Sequence, residues 1–230
     1  MKQKEKFVKP AQFTENEILT AIVNNEWPAG FKLPPERELC ASLGVTRPTL
    51  REVLQRLSRD GWLTITHGKP TLVNDFKQDG GLGVLKTLIN HDDLSSDQLI
   101  KDWLEFRAIM FPSLAVKSIA SHAKIIVDKL NDSPDVQSSG IEFATFDWEL
   151  QMLMIKLSKN TIAMMLYNDL TVIYSNEGKA YFQKLETKKR SIQYYETLKQ
   201  AIIYGGNVNM VIESAMTESV RIWNQIKGAE

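Results

Sequence analysis

Between Val45 and Arg59 four arginines, Arg47, Arg51, Arg56 and Arg59, are opposed by one acid, Glu52. A guanidinium carries its N–H donors in a rigid fork, which suits phosphate oxygens and the O6/N7 edge of guanine. Arg47 is the natural candidate for bidentate pairing with a guanine, and Arg51 lies one turn further along the same side. Thr46 and Thr49 can offer hydroxyls to phosphates, and Arg37 can reach a flanking backbone. Further on, His67-Gly68-Lys69 make a basic tip where Gly68 allows close approach and His67 and Lys69 can reach a minor groove. The chain holds 28 Lys+Arg and 28 Asp+Glu, so its net charge is zero, but residues 1–75 hold 11 basic against 9 acidic groups. The surplus is small and concentrated. A short basic helix on a neutral protein is the local footprint of a nucleic-acid reader. An ordinary three-helix domain with a solvated basic face is the alternative that spacing alone leaves open.

Those side chains act together only if a helix presents them while burying its other face. Leu50, Val53, Leu54 and Leu57 follow the i, i+3, i+4, i+7 rule, with Thr46 as cap, Pro48 tolerated in the first turn and Gly61 closing the helix. Before it, a helix from about Thr14 to Asn25 carries Ile18, Leu19, Ile22 and Val23 inward, with Thr14 and Glu17 as a capping box. A short second helix begins near Pro35, a residue suited to a first turn, and ends at Gly44. After it, residues 62–66 and 71–73 read as two strands around a tight loop. Helix, helix, turn, helix, hairpin is the order of a winged helix-turn-helix. The predicted class is therefore mainly α: an N-terminal winged helix-turn-helix over 1–75, a connector with some helix over 76–97, and an all-α helical bundle over 98–230.

The bundle is predicted as helices at 98–121, 123–132, 140–158, 161–185, 187–204 and 207–227, with Pro112 bending the first and Asn207 capping the last. Phe143, Phe146, Leu150, Leu153, Met154, Leu157, Met164, Met165 and Leu166 can line a cavity for an apolar ligand, or can simply be core. Arg107 shares a face with Trp103, Leu104, Met110 and Phe111, so its charge needs a partner. A ligand phosphate or thioester region, or an internal carboxylate such as Asp147, can supply one. Tyr174 and Tyr181, seven apart, and Ser219 and Trp223, four apart, lie on common helix sides.

Composition and motifs exclude several classes. No run of eighteen apolar residues occurs, so a membrane span is not expected. The N-terminus MKQKEKFVKPAQF lacks the apolar stretch of a signal peptide, and one cysteine, Cys40, cannot form an internal disulfide; a cytoplasmic location is expected. No Gly-x-Ser-x-Gly elbow, phosphate loop or dinucleotide fingerprint occurs, so no catalytic residue is assigned. With three histidines, His67, His91 and His122, the ligand set of a metal-dependent sensor is missing, and no metal is expected.

Pro34-Pro35-Glu36-Arg37-Glu38-Leu39, Gly44-Val45-Thr46-Arg47 and Thr49-Leu50-Arg51-Glu52-Val53-Leu54-Gln55-Arg56-Leu57 resemble the GntR superfamily of regulators. Arg59-Asp60-Gly61-Trp62-Leu63-Thr64-Ile65 with His67-Gly68-Lys69-Pro70-Thr71 is similar, more specifically, to its fatty-acid metabolism regulators, the FadR group. The resemblance is dense over 33–74 and weaker to the C-terminus. It implies a homodimer on a palindromic operator in double-stranded DNA, released by long-chain fatty acyl-CoA as effector, with no other cofactor. It also implies repression of fatty-acid degradation genes and activation of unsaturated fatty-acid synthesis genes. Arg107, Tyr174, Tyr181, Ser219 and Trp223 are the acyl-CoA residues it implies. Two departures stand out: Pro48 replaces a usual threonine, and Met216, beside Ala215, replaces a glycine. A methionine there fills space a ligand would use and can alter affinity or chain-length preference. A regulator of the same type with a different effector, and a constitutive DNA-binding protein, are the alternatives.

Overall fold

The computed structural model describes residues 9–91, 94 and 96–227, and the chain divides into two compact units between residues 94 and 95. In the N-terminal unit α1 (Pro10–Val23), α2 (Glu36–Leu43) and α3 (Arg47–Asp60) precede a hairpin of β1 (Leu63–Thr64) and β2 (Leu72–Val73), and α4 (Leu82–Asn90) follows. α1 starts a turn earlier than the sequence suggests. Pro10, whose fixed φ suits a first turn, opens it, and Thr14 is no cap: its buried hydroxyl donates back to the Pro10 carbonyl at 2.8 Å. Pro35 sits at the N-cap of α2 rather than inside it, and Gly44 ends α2 in the left-handed conformation (φ 65°).

Thr46 caps α3, its hydroxyl oxygen accepting from the Thr49 backbone N–H at 3.4 Å, and Pro48 occupies the first turn. Leu50, Val53, Leu54 and Leu57 are buried against Ile18, Leu19 and Ile22 of α1. The hairpin pairs Leu63 with Val73 and Thr64 with Leu72. Residues 30–33 add an edge to it: Gly30 N–H donates to the Val73 carbonyl, Val73 N–H to Phe31, and Leu33 N–H to Thr71. The strands are thus shorter than 62–66 and 71–73, and a third backbone segment braces them. Segment 76–97, expected as a connector with some helix, carries α4, whose Val84 and Ile89 are buried, and Val84 joins the same core. Gly83 lets α4 close on the end of α3, since a Cβ there would lie 2.8 Å from the Asp60 carbonyl oxygen.

Five helices make up the regular structure of the C-terminal unit among its described residues: α5 (Asp97–Asn131), α6 (Gly140–Leu157), α7 (Thr161–Tyr181), α8 (Leu185–Tyr204) and α9 (Val208–Lys227). Polar caps start four of them. Ser96 accepts from Leu99 N–H, Ser139 and Glu142 form a capping box, and Asn160 accepts from Ala163 N–H. Asn207 accepts from Met210 N–H at 3.0 Å at the start of α9. Pro112 does not break α5. The backbone stays helical there, with Phe111 and Pro112 buried, and departs from helix at His122 (φ −140°, ψ 32°). Burial on both sides of a proline holds a helix that the missing N–H alone would weaken. α6 packs against α5 and α7, and α9 against α5 and α8. Among the described residues no helix is long and apolar enough to cross a membrane.

Candidate DNA interface and effector cavity

The helix-turn-helix presents its basic residues outward. Arg37, Thr46, Arg47 and Arg51 are exposed, and Thr49 is half-buried. Arg47 is the first residue of α3, and neither it nor Arg37 has an ion-pair partner among the described residues. Their donors are free for an incoming anion or base edge. Arg51 is less free. Its Nε donates to both oxygens of Glu36 at 2.8 and 3.0 Å, tying the start of α2 to α3. Thr46 and Thr49 hydroxyls meet at 2.9 Å, so each reaches a ligand only by sharing that bond. Arg56 grips Glu15 of α1 with two bonds of 2.7 and 2.9 Å. Arg59 pairs with Asp60 at 3.5 Å.

His67, Gly68 and Lys69 form the exposed hairpin tip. Lys69 N–H donates to the Thr66 carbonyl at 3.1 Å, closing a turn in which Gly68 has φ 72°. Nothing would touch a Cβ at Gly68, so glycine serves the backbone conformation there, and the tip stays slim enough to approach a groove.

In the C-terminal unit a cavity of about 450 Å³ opens among α5, α6, α7, α8 and α9. Arg107, Tyr174, Tyr181, Ser219 and Trp223, from three helices, all face it. Met216 and Ala215 also line it, and Met216 is buried. The apolar set from Phe143 to Leu166 does not line it. Phe143, Phe146, Leu150 and Met154 are core side chains, Met165 is exposed, and α6 contributes only Asp147 to the wall. The apolar wall comes instead from residues such as Ile100, Trp103, Leu104, Ile173, Val211 and Ile222.

Two opposite charges are buried at this wall without meeting. Asp147 accepts from Tyr195 OH at 2.7 Å on one oxygen, and from Gln151 Nε2 at 2.7 Å and Tyr174 OH on the other. Arg107 Nη2 donates to Ser219 Oγ at 2.5 Å, Ser219 Oγ donates to the Met216 carbonyl at 2.6 Å, and Arg107 Nε has no partner among the described residues. Tyr174 therefore spends its hydroxyl on Asp147, and its ring stacks on Trp148 at 4.6 Å. The Tyr181 hydroxyl has no hydrogen bond among the described residues, and burial, opposed by Arg107, pushes its pKa up to about 12. It stays a protonated donor at neutral pH. Burial, reinforced by the Asp147 charge, likewise raises Tyr174 and Tyr195 well above the ordinary tyrosine value. Arg190 and Glu218 also line the cavity and pair with each other. Hydrogen bonding to Arg221, with Arg190 beside it, holds the Glu218 carboxyl below its usual range.

Comparison with known proteins decides the family. Residues 10–73 match the model of bacterial regulatory proteins of the gntR family, and residues 74–229 match that of the FadR C-terminal domain. The chain is a GntR-family transcription regulator of the FadR type. Relatives of this regulator include the fatty acid metabolism regulator proteins of Pectobacterium atrosepticum, 38% identical over 96% of this chain and 93% of that one, and of Serratia proteamaculans, 36% identical over 95% and 92%. A solved structure of Lar, which controls expression of the Listeria monocytogenes agr system, matches with TM-score 0.58 at 16% identity over 96% of this chain and 99% of that one. At that identity the likeness speaks to the fold.

A GntR-type regulator binds DNA, and its family consists of transcription regulators rather than enzymes. The residues that sequence reading misses in this regulator are Tyr195, Gln151 and Tyr194. Tyr194 lines the cavity, and burial raises its pKa. The available signal was Asp147, an acid between Phe146 and Trp148 that had to find donors. Among the described residues no group of three or more His, Cys, Asp or Glu side chains is placed to hold a metal ion.

Proposed function

We propose that this regulator binds a palindromic operator as a homodimer and that long-chain fatty acyl-CoA, received in the C-terminal cavity, releases it. The convergence of Arg107, Tyr174, Tyr181, Ser219 and Trp223 on one cavity carries the proposal. Its wall is apolar enough for an acyl chain, while Tyr181 and Arg107 offer donors to a polar head. On the DNA, Arg47 reads a base edge at the N-terminus of α3, and Arg37, Thr46, Thr49 and Arg51 fix the register on phosphates. His67, Gly68 and Lys69 enter the adjacent minor groove. A ligand that prefers the dimer arrangement with wrongly spaced heads lowers operator affinity by its differential affinity for the two arrangements. The regulated genes in this proposal are those of fatty-acid degradation, repressed, and of unsaturated fatty-acid synthesis, activated. A cytoplasmic site of action goes with it.

Intrinsic fluorescence gives a direct test, because Trp103 and Trp223 line the cavity. Titration with oleoyl-CoA is expected to change the emission saturably, and free CoA is expected to leave it unchanged. Equal responses to both, or none to either, would remove the acyl-CoA reading. Met216, buried against the cavity, favours a second reading with a shorter chain or another apolar effector. A series of acyl-CoAs of decreasing chain length separates the two, and Met216→Gly is expected to shift the preference toward longer chains.

A further inference from the structure

α3 turns one edge to the core and the opposite edge to solvent. Leu50, Val53, Leu54 and Leu57 are buried, while Pro48, Glu52, Gln55 and Arg59 are exposed. Pro48 stands two residues before Leu50. At about 3.6 residues per turn that is roughly 200° around the helix, so its ring points away from the core. Pro48 also lies in the first turn of α3, the turn from which a helix-turn-helix reaches base edges. Its neighbours there are polar. Arg47 carries guanidinium donors with no ion-pair partner among the described residues. The Thr46 and Thr49 hydroxyls bond each other at 2.9 Å, and the Thr49 N–H donates to the Thr46 hydroxyl. Within residues 46–49, Pro48 alone has neither a backbone N–H nor a polar side-chain atom. It can donate neither to a phosphate nor to the O6/N7 edge of guanine. An exposed pyrrolidine ring can only cover another apolar group, and the apolar group that base edges present in the major groove is the thymine C5-methyl.

We infer that Pro48 is a base-reading residue: its ring packs on one thymine methyl in each half-site, beside the base that Arg47 reads. This rests on the reading that α3 enters the major groove by its N-terminus. It adds a demand for thymine at one position, set by an apolar contact instead of a hydrogen bond. Burying a proline ring costs almost no side-chain entropy, so even a small contact area shows in the preference. Removing the methyl from the DNA, or the ring from the protein, therefore abolishes the same discrimination.

The test presents the full chain, Pro48→Ser and Pro48→Val with a pool of duplexes of random sequence and sequences what each retains. The parent is expected to enrich a two-fold symmetric site with one thymine per half-site that P48S does not require. P48V, which keeps an apolar side chain, is expected to retain that thymine. The thymine of one half-site is then replaced by deoxyuridine, which removes only the methyl. Anisotropy is expected to show the parent weakened about three- to fivefold, the worth of one methyl covered by an apolar surface, and P48S unchanged. A ring that merely stiffens the first turn of α3 would leave the effect of the methyl the same in parent and variant. Identical sites for parent and P48S, or equal losses on deoxyuridine, would therefore overturn the inference while the reading head stands. So would a parent indifferent to deoxyuridine at every thymine of its site, whatever P48S does. A parent that enriches no site would remove the reading head itself, and the inference with it.

Discussion

At the scale of single residues, what a side chain is free to do is decided by what already holds it. Arg47 opens α3 with no ion-pair partner among the described residues, whereas Arg51 is held by Glu36. Arg47→Ala is therefore expected to cost about 1–3 kcal/mol of operator binding, measured by anisotropy, and to relax preference at one base position. An equal loss on operator and random DNA would make Arg47 a phosphate contact. The two cavity tyrosines should likewise separate. Tyr174→Phe removes a buried bond to Asp147 and is expected to lower stability by about 1–3 kcal/mol in urea unfolding. Tyr181→Phe removes a hydroxyl with no hydrogen bond among the described residues, so stability should hold while acyl-CoA affinity falls several-fold. Both roles look alike in sequence, since each is a tyrosine on one side of a helix. Arg107 and Asp147 are legible because a charge on an apolar face demands a partner, but which partner is a matter of three-dimensional packing.

At the scale of elements, the reading head is legible almost entirely because its signals are local. Gly44 in the turn, Thr46 at the cap and the unbroken stripe from Leu50 to Leu57 each act within one helix turn. The start of α1 is misjudged because Thr14 with Glu17 mimics a capping box, while Pro10 one turn earlier opens the helix. The cavity wall is left open by the sequence for a different reason. Periodicity says which face of α6 is buried, not whether a neighbouring helix or a void covers it. Phe143 and Met154 consequently look the same as cavity residues while packing in the core. α4 shows the same limit, because a connector with some helix can be read from the sequence but not that Gly83 lies against the end of α3. Gly83→Ala is expected to destabilise the N-terminal unit by about 1–3 kcal/mol, since the clash is with a backbone carbonyl that cannot move cheaply. A melting temperature unchanged from the parent would show that α4 does not dock there.

At the scale of the whole molecule, five tyrosines, 167, 174, 181, 194 and 195, are held neutral by burial, four of them on the cavity wall or its Asp147 network. Their folded pKa values lie above the unfolded value near 10, so the stability they contribute is complete below pH 10. It is lost as pH rises through the folded values, from about 12 for Tyr181 upward. Tyrosinate absorbance at 295 nm should accordingly rise together with loss of helical circular dichroism, not before it. Early ionisation of most tyrosines in a still-folded chain would contradict their burial. The central claim joins the two units: a DNA reader whose grip is released from the cavity. Anisotropy of a labelled palindromic fatty-acid operator at fixed salt, first with protein and then with oleoyl-CoA, measures that link directly. Tight binding reversed by micromolar oleoyl-CoA and untouched by free CoA is the expected result, whereas tight binding that oleoyl-CoA leaves unchanged would contradict the claim and leave a DNA reader answering to another effector.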